Sequence, residues 1–269
     1  MPKKNYYGTS AQIRKRKANF QKTKTLALVF ACLLFVVFLA GVGSGFLTVG
    51  TVSFGSLFSS KNTVQEQTMY VLSMDRFSDK TSAENMAEVL ALQGASAFLW
   101  ESNGWYEIVG NVYPNKTDAE TVKSNIIASN PNVKIVTITY PKLSLNQKNL
   151  TKEQQQLLYQ SVTYLGEVAE KLYGYALDIE TKAKTPTTVS GLVNNLKSEC
   201  NIRGNQLDML NSVTICEQAV HLKNCYLKVS NTLNELVLKL IDGYQLNHVS
   251  KYTYVQVLKL KYDLFQILQ

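Results

Sequence analysis

Hydrophobic and polar residues follow three different periods along the 269-residue chain. From Leu26 to Leu47 there is no charged residue, and Leu, Val, Phe and Ala dominate. Twenty-odd apolar residues match the hydrocarbon thickness of a bilayer, so residues 25–47 are predicted to form one transmembrane helix. Between residues 69 and 138 the apolar positions fall in short runs rich in aromatic and β-branched side chains, which favour strands. Beyond about residue 143 they step by three and four, the period of a helix buried along one side. Leu158, Val162, Leu165, Ala169, Leu172, Ala176 and Ile179 form such a seam, continued by Val189, Val193 and Leu196. Lys184-Thr185-Pro186-Thr187 should stop the first helix, with Thr187-Thr188 capping the next, and a break is expected around Arg203-Gly204-Asn205. A long segment follows with Met209, Val213, Cys216 and Val220, then Val229, Leu233, Leu236 and Leu240, ending at Asp242-Gly243. Val255, Leu258, Tyr262 and Phe265 make the last seam. These patterns predict a bundle of three or four antiparallel helices over 142–269, or a coiled coil between chains.

The strand region is written twice. YVLSMDRFSDKTSAENMAEVL at 70–90 aligns without a gap on YEIVGNVYPNKTDAETVKSNI at 106–126, an offset of 36 residues. That is about the length of one strand–helix–strand unit. Each copy opens with a strand, Met69–Met74 or Trp105–Val109, and continues into a helix. Thr81 and Thr117 are the expected N-caps, with Glu84 and Glu120 three residues on to close capping boxes. The helices should run to about Gln93, stopped by Gly94, and to about Ser129, stopped by Asn130-Pro131. Second strands follow at 96–100 and 133–138. Asn103-Gly104 supplies the positive φ angles of a tight hairpin between the copies. The fold class is therefore α+β, a ferredoxin-like βαββαβ domain followed by an all-α bundle. Both helices of the domain should lie on one sheet face, leaving the other face open.

Residues 68–141 resemble a SPOR domain, the small bacterial module that binds peptidoglycan glycan strands. The resemblance is carried by Tyr70-Val71 leading to Phe77, by Ala83-Glu84, and above all by Asn103-Gly104-Trp105-Tyr106. It implies glycan contacts on the open sheet face from an aromatic at Trp105, a basic residue two positions on, and polar residues of the first strand. The candidate glycan-binding residues are Ser73, Asp75, Arg76, Trp100, Asn103, Trp105 and Glu107. The chain departs from the family pattern at Glu107, where a basic residue is usual. Leu72 or Ser73 stands for the usual Gln, Met74 for a Gly, and Asp75 lies near the usual Ser. These departures also fit a protein–protein scaffold that has lost sugar binding. Trp100 and Trp105 flank the hairpin turn; either both face the open side, or one packs under the helices.

Charge refines the setting. The net charge of +8 resides wholly in residues 1–24, which hold eight basic residues and no acidic one. Residues 65–141 carry nine acidic and five basic side chains, a poor surface for a phosphate backbone. RNA-recognition domains share the βαββαβ order, but this charge argues against nucleic acid as a partner. Basic residues before the span predict a cytoplasmic tail at 1–24 and export of everything after 47. Contact of Arg14-Lys15-Arg16-Lys17 with anionic lipid is a further expectation. Residues 48–67, rich in Ser, Thr, Gly and Gln, read as a linker. The expected location is the cell membrane, single-pass, possible enrichment being at division or sporulation septa, where proteins with a basic tail, one span and a SPOR module serve.

Candidate chemistry is thin. The chain has two histidines and no Gly-rich phosphate loop, nucleophile elbow or HExxH motif, so neither an enzyme nor a cofactor is expected. Cys200, Cys216 and Cys225 would lie on the exported side. They permit a bridge from Cys200 to Cys216 or Cys225, a zinc set with His221, or plain buried thiols. The expected partners are peptidoglycan glycan strands, membrane lipid, and an envelope protein or second copy held through 142–269.

Overall fold

The computed structural model describes residues 63–145, 148–243 and 245–269. The predicted tail and membrane span fall outside these residues. No helix among the described residues is long and apolar enough to cross a membrane.

The repeat folds as two strand–helix–strand units. Strand β2 (Gln67–Phe77), helix α1 (Lys80–Leu92) and strand β3 (Phe98–Ser102) form the first. Strand β4 (Trp105–Tyr113), helix α2 (Lys116–Ile126) and strand β5 (Lys134–Tyr140) form the second. The four strands lie in the order β3-β4-β2-β5 with every pair antiparallel. Asn103 and Gly104 adopt φ of 51° and 74° at the hairpin, as the Asn-Gly pair predicts. Two short strands not foreseen, β1 (Thr63–Val64) and β6 (Leu143–Ser144), pair with each other beside the sheet. The end of the expected linker is thus already structured.

The helix caps differ from expectation in the same way in both copies. Asp79 and Asn115, not Thr81 and Thr117, are the N-caps, accepting from the backbone N–H of Ser82 and Asp118 at 2.7 and 2.9 Å. A short carboxylate or amide two residues earlier reaches the free N–H groups and lengthens each helix by two residues. Glu84 and Glu120 therefore pair with Lys80 and Lys116 one turn back. Helix α2 ends at Ile126, short of Ser129, where Asn130 closes the turn onto the Ile126 carbonyl.

Four long helices follow: α3 (Lys152–Glu180), α4 (Pro186–Val213), α5 (Glu217–Asp242) and α6 (Leu246–Leu268). The first seam, Leu158 to Ile179, is buried throughout. Helix α4 is capped by Thr185 with Pro186 in its first turn, rather than by Thr187-Thr188. The expected break at Arg203-Gly204-Asn205 does not occur. Gly204 is buried inside α4, and a Cβ placed there would meet Cβ of Tyr226 at 3.8 Å, so the glycine lies against α5. The chain breaks instead at Thr214–Cys216, splitting the predicted long segment. Of its first apolar positions only Cys216 is buried; Met209, Val213 and Val220 are exposed. Gly243 ends α5 with φ of 70°, as predicted.

The main correction concerns the sheet. Helices α1 and α2 do share one face, closing a core of Leu72, Met74, Leu90, Ile108, Tyr113, Val122 and Ile126. The other face, expected to be open, is covered except at its hairpin end. Met69, Val71, Trp100, Val109, Val112 and Tyr140 join a single core with the helical bundle. Helix α6 lies along this face: Phe98 packs on Tyr252, Trp100 on Tyr262 and Tyr140 on Phe265. The bundle buries the apolar residues that make this face sheet-like, which water would otherwise cover at a cost proportional to area. Sheet and bundle, read separately as 68–141 and 142–269, are one packed body.

Candidate functional site

Helix α6 does not reach the hairpin end of the sheet. What it leaves uncovered is a row of polar and aromatic side chains running across β4, β2 and β5. Cross-strand pairing places them on one face: Trp105 is opposite Ser102, Glu107 opposite both Trp100 and Arg76, and Ser73 opposite both Val109 and Lys134. Two opposed irregularities make this row. The register skips Gly110 between Leu72 and Ser73, and skips Met74 between Ser73 and Asp75. A Cβ at Gly110 would stand 2.6 Å from the Met74 sulfur, so a side chain there would require Met74 to move.

Trp105 is 42% exposed, and the Arg76 guanidinium lies 4.6 Å from its ring centroid. Such a stack holds the indole in place and desolvates one of its faces. Glu107 is half-buried. Its carboxylate accepts from the Ser73 hydroxyl at 2.5 Å and pairs with Lys134 at 3.0 Å, the lysine reaching across β2. Two cations and one anion thus share the row. The arrangement offers an aromatic plane, hydroxyl-matched donors and acceptors, and little net charge, which suits a neutral polyol better than a phosphate.

The candidates drawn from sequence divide accordingly. Ser73, Arg76, Trp105 and Glu107 come together. Asn103 stands beside them as an exposed turn residue. Trp100 is on the same face but only 7% exposed, under Tyr262 and with the Lys259 ammonium 5.3 Å from its ring centroid. It cannot stack on a ligand while α6 is in place. Asp75 is displaced by the Met74 bulge to the position opposite Ile108, on the side of α1 and α2. There it accepts from the Asn132 amide at 3.1 Å. Lys134 was not among the candidates; its membership depends on strand order, and no local pattern marks it.

The three thiols are buried and unbridged. Burial pushes Cys200 and Cys225 up to about 12, away from the reactive thiolate. Of the three arrangements open to the sequence, the structure shows plain buried thiols, and the bridge from Cys200 to Cys216 or Cys225 is not formed. Among the described residues no three metal-ligating side chains converge, so the zinc set is not assembled. His221 pairs with Glu217, and His248 Nδ1 bonds the Ala95 carbonyl at 2.9 Å. No family model, curated protein or solved structure significantly matches the chain.

Proposed function

We propose that the chain is a single-pass envelope protein with a cytoplasmic N-terminus, held by residues 25–47, whose SPOR-like βαββαβ module contacts peptidoglycan glycan strands. The contact uses the hairpin end of the sheet, not its whole face, and serves division or sporulation septa. The observation that carries this reading is the row of Ser73, Arg76, Trp105, Glu107 and Lys134 with an exposed indole at its end. Lys134 supplies in space the positive charge that Glu107 replaces in sequence, so the acidic substitution leaves no uncompensated anion at the sugar. Sugar C–H faces stack on aromatic planes, and their hydroxyls use the remaining donors and acceptors. The bundle acts as an oligomerising or partner-binding element.

The covered half of the face favours a second reading, a protein–protein scaffold of the envelope without glycan binding. Cosedimentation of the detergent-solubilised full chain with purified sacculi separates the two. Under the glycan reading the chain pellets with sacculi, more so after an amidase has stripped the stem peptides, and Trp105→Ala abolishes it. Recovery in the supernatant with both preparations would leave the scaffold.

A further inference from the structure

One end of the helical bundle exposes large aliphatic side chains beside the charged Lys152, Glu153 and Glu217. Helices α3 to α6 alternate in direction, so the start of α3, the end of α4, the start of α5 and the end of α6 meet at one end. The end of α4 and the turn into α5 there expose Met209, Val213 and Ile215 at 70, 81 and 89%. Ile267, in the last turn of α6, is 58% exposed at the same end. The turn is held by α3 and the segment before it: Asn149 donates to the Ile215 carbonyl, and Gln154 to the Thr214 hydroxyl, both at 3.4 Å. Single exposed aliphatics are ordinary, but several gathered on a fixed turn mark a contact surface.

The path of the chain says what that contact is. The described structure begins at Thr63, in β1, which pairs with Leu143 and Ser144 just before α3. Gln67, four residues on, accepts from Lys261 near the end of α6 at 3.1 Å. The chain therefore enters the body at the end that carries the exposed aliphatics. Only fifteen residues, Thr48 to Asn62, separate this entry from the predicted span ending at Leu47. Fully extended they reach no more than about 50 Å, and the 28-residue α4 alone is about 42 Å long. A tether of that length holds this end at high effective concentration near the bilayer, where a weak apolar contact is enough.

We infer that Met209, Val213, Ile215 and Ile267 form a docking tip that rests in the outer surface of the same membrane. It orients the bundle axis along the membrane normal and points the opposite end outward. The inference rests on the membrane-anchored reading above. It also fits the sequence order: the aliphatic positions at 209 and 213 keep helical spacing but fail to join the bundle core, because another phase buries them.

The test uses the full chain reconstituted in phosphatidylethanolamine–phosphatidylglycerol vesicles, with and without dibrominated acyl chains. Added indole emission is read in Ile215→Trp, in Val213→Trp, and in Leu238→Trp, an exposed site near the far end of α5. Bromolipid should quench the emission added at 215 and 213 at least twofold more than that at 238. Equal quenching in protein that floats with the vesicles would overturn the docking tip while leaving the anchor intact. Failure of the chain to float would remove the anchor and the tip together. Shielding of the 215 indole from acrylamide without bromolipid quenching would assign the tip to a second copy of the chain and overturn the lipid contact.

Discussion

Tyr140, on the edge strand β5, donates its hydroxyl to the main-chain carbonyl of Leu258 on α6 at 3.0 Å, with no part of the ring reaching water. Tyr254, one turn earlier on α6, makes the matching bond to the Val112 carbonyl of β4 at 3.1 Å. Two buried hydroxyls thus fix one helix to two strands. Tyr140→Phe should lower stability by about 1 kcal/mol, the net value of one such bond. Urea unfolding followed by tryptophan emission, which reports the sheet, and by far-ultraviolet dichroism, which reports the bundle, should shift together. Separate midpoints would show that the shared core does not act as one cooperative unit.

The two tryptophans should respond oppositely to truncation. Trp100→Ala removes a ring packed against Tyr262 and should cost about 3–5 kcal/mol. Trp105→Ala removes a half-exposed ring and should cost less than about 1 kcal/mol while abolishing any pelleting with sacculi. Equal destabilisation by the two changes would contradict the assignment of Trp105 to the uncovered end.

Lys251 pairs with Glu180 at 2.9 Å, both side chains under 10% exposed, and also donates to the Gly94 carbonyl at 3.2 Å. Lys251→Met leaves a carboxylate buried without its cation and should cost about 3–5 kcal/mol. Lys251→Met with Glu180→Leu should recover most of that loss. A double variant no more stable than the single one would mean that the Gly94 contact, not the ion pair, carries the effect.

Lys261 gives the fold a pH dependence of definite sign. Burial against Tyr140 and Phe265 lowers its ammonium to about 8. From pH 8 towards its unfolded value near 10.5 the unfolded chain keeps a proton that the folded chain has released. Stability from this group therefore rises with pH across that window and is flat below it. Burial raises the hydroxyls of Tyr140 and Tyr254, which adds the opposite slope above pH 10. Between pH 8 and 9.5 the wild type should gain stability relative to Lys261→Met in urea titrations. Parallel curves would show that the lysine is not desolvated.

Gly110→Ala should destabilise by about 1–3 kcal/mol, because its Cβ would overlap the Met74 side chain. Adding Met74→Ala removes the obstacle, so the second change should cost less in the Gly110→Ala background than alone. Strict additivity of the two costs would argue against the opposed irregularities.

The sequence by itself determined the local elements of this protein. An ungapped repeat of strand, capped helix and strand can be satisfied only by building the same unit twice, and Asn103-Gly104 can close only one kind of hairpin. The seam from Leu158 to Ile179 likewise names its buried side through helical geometry alone. Even the displaced caps, Asp79 and Asn115, obey the repeat; the signal was present, and the neighbouring threonines and glutamates masked it. Tertiary structure decided what covers each surface. The structure puts Val71, Trp100 and Tyr140 on the face away from α1 and α2; alternation left the side of Trp100 open and carries no information about a helix more than a hundred residues later. The phase error at Met209 and Val213 has the same origin, since several helical phases are apolar and only packing of α4 against α5 and α3 selects the buried one. Lys134 enters the site because β2 runs between β4 and β5, and Trp100 leaves it because α6 lies on top. Both outcomes arise from contacts between distant segments, which a period of two or 3.6 residues cannot encode.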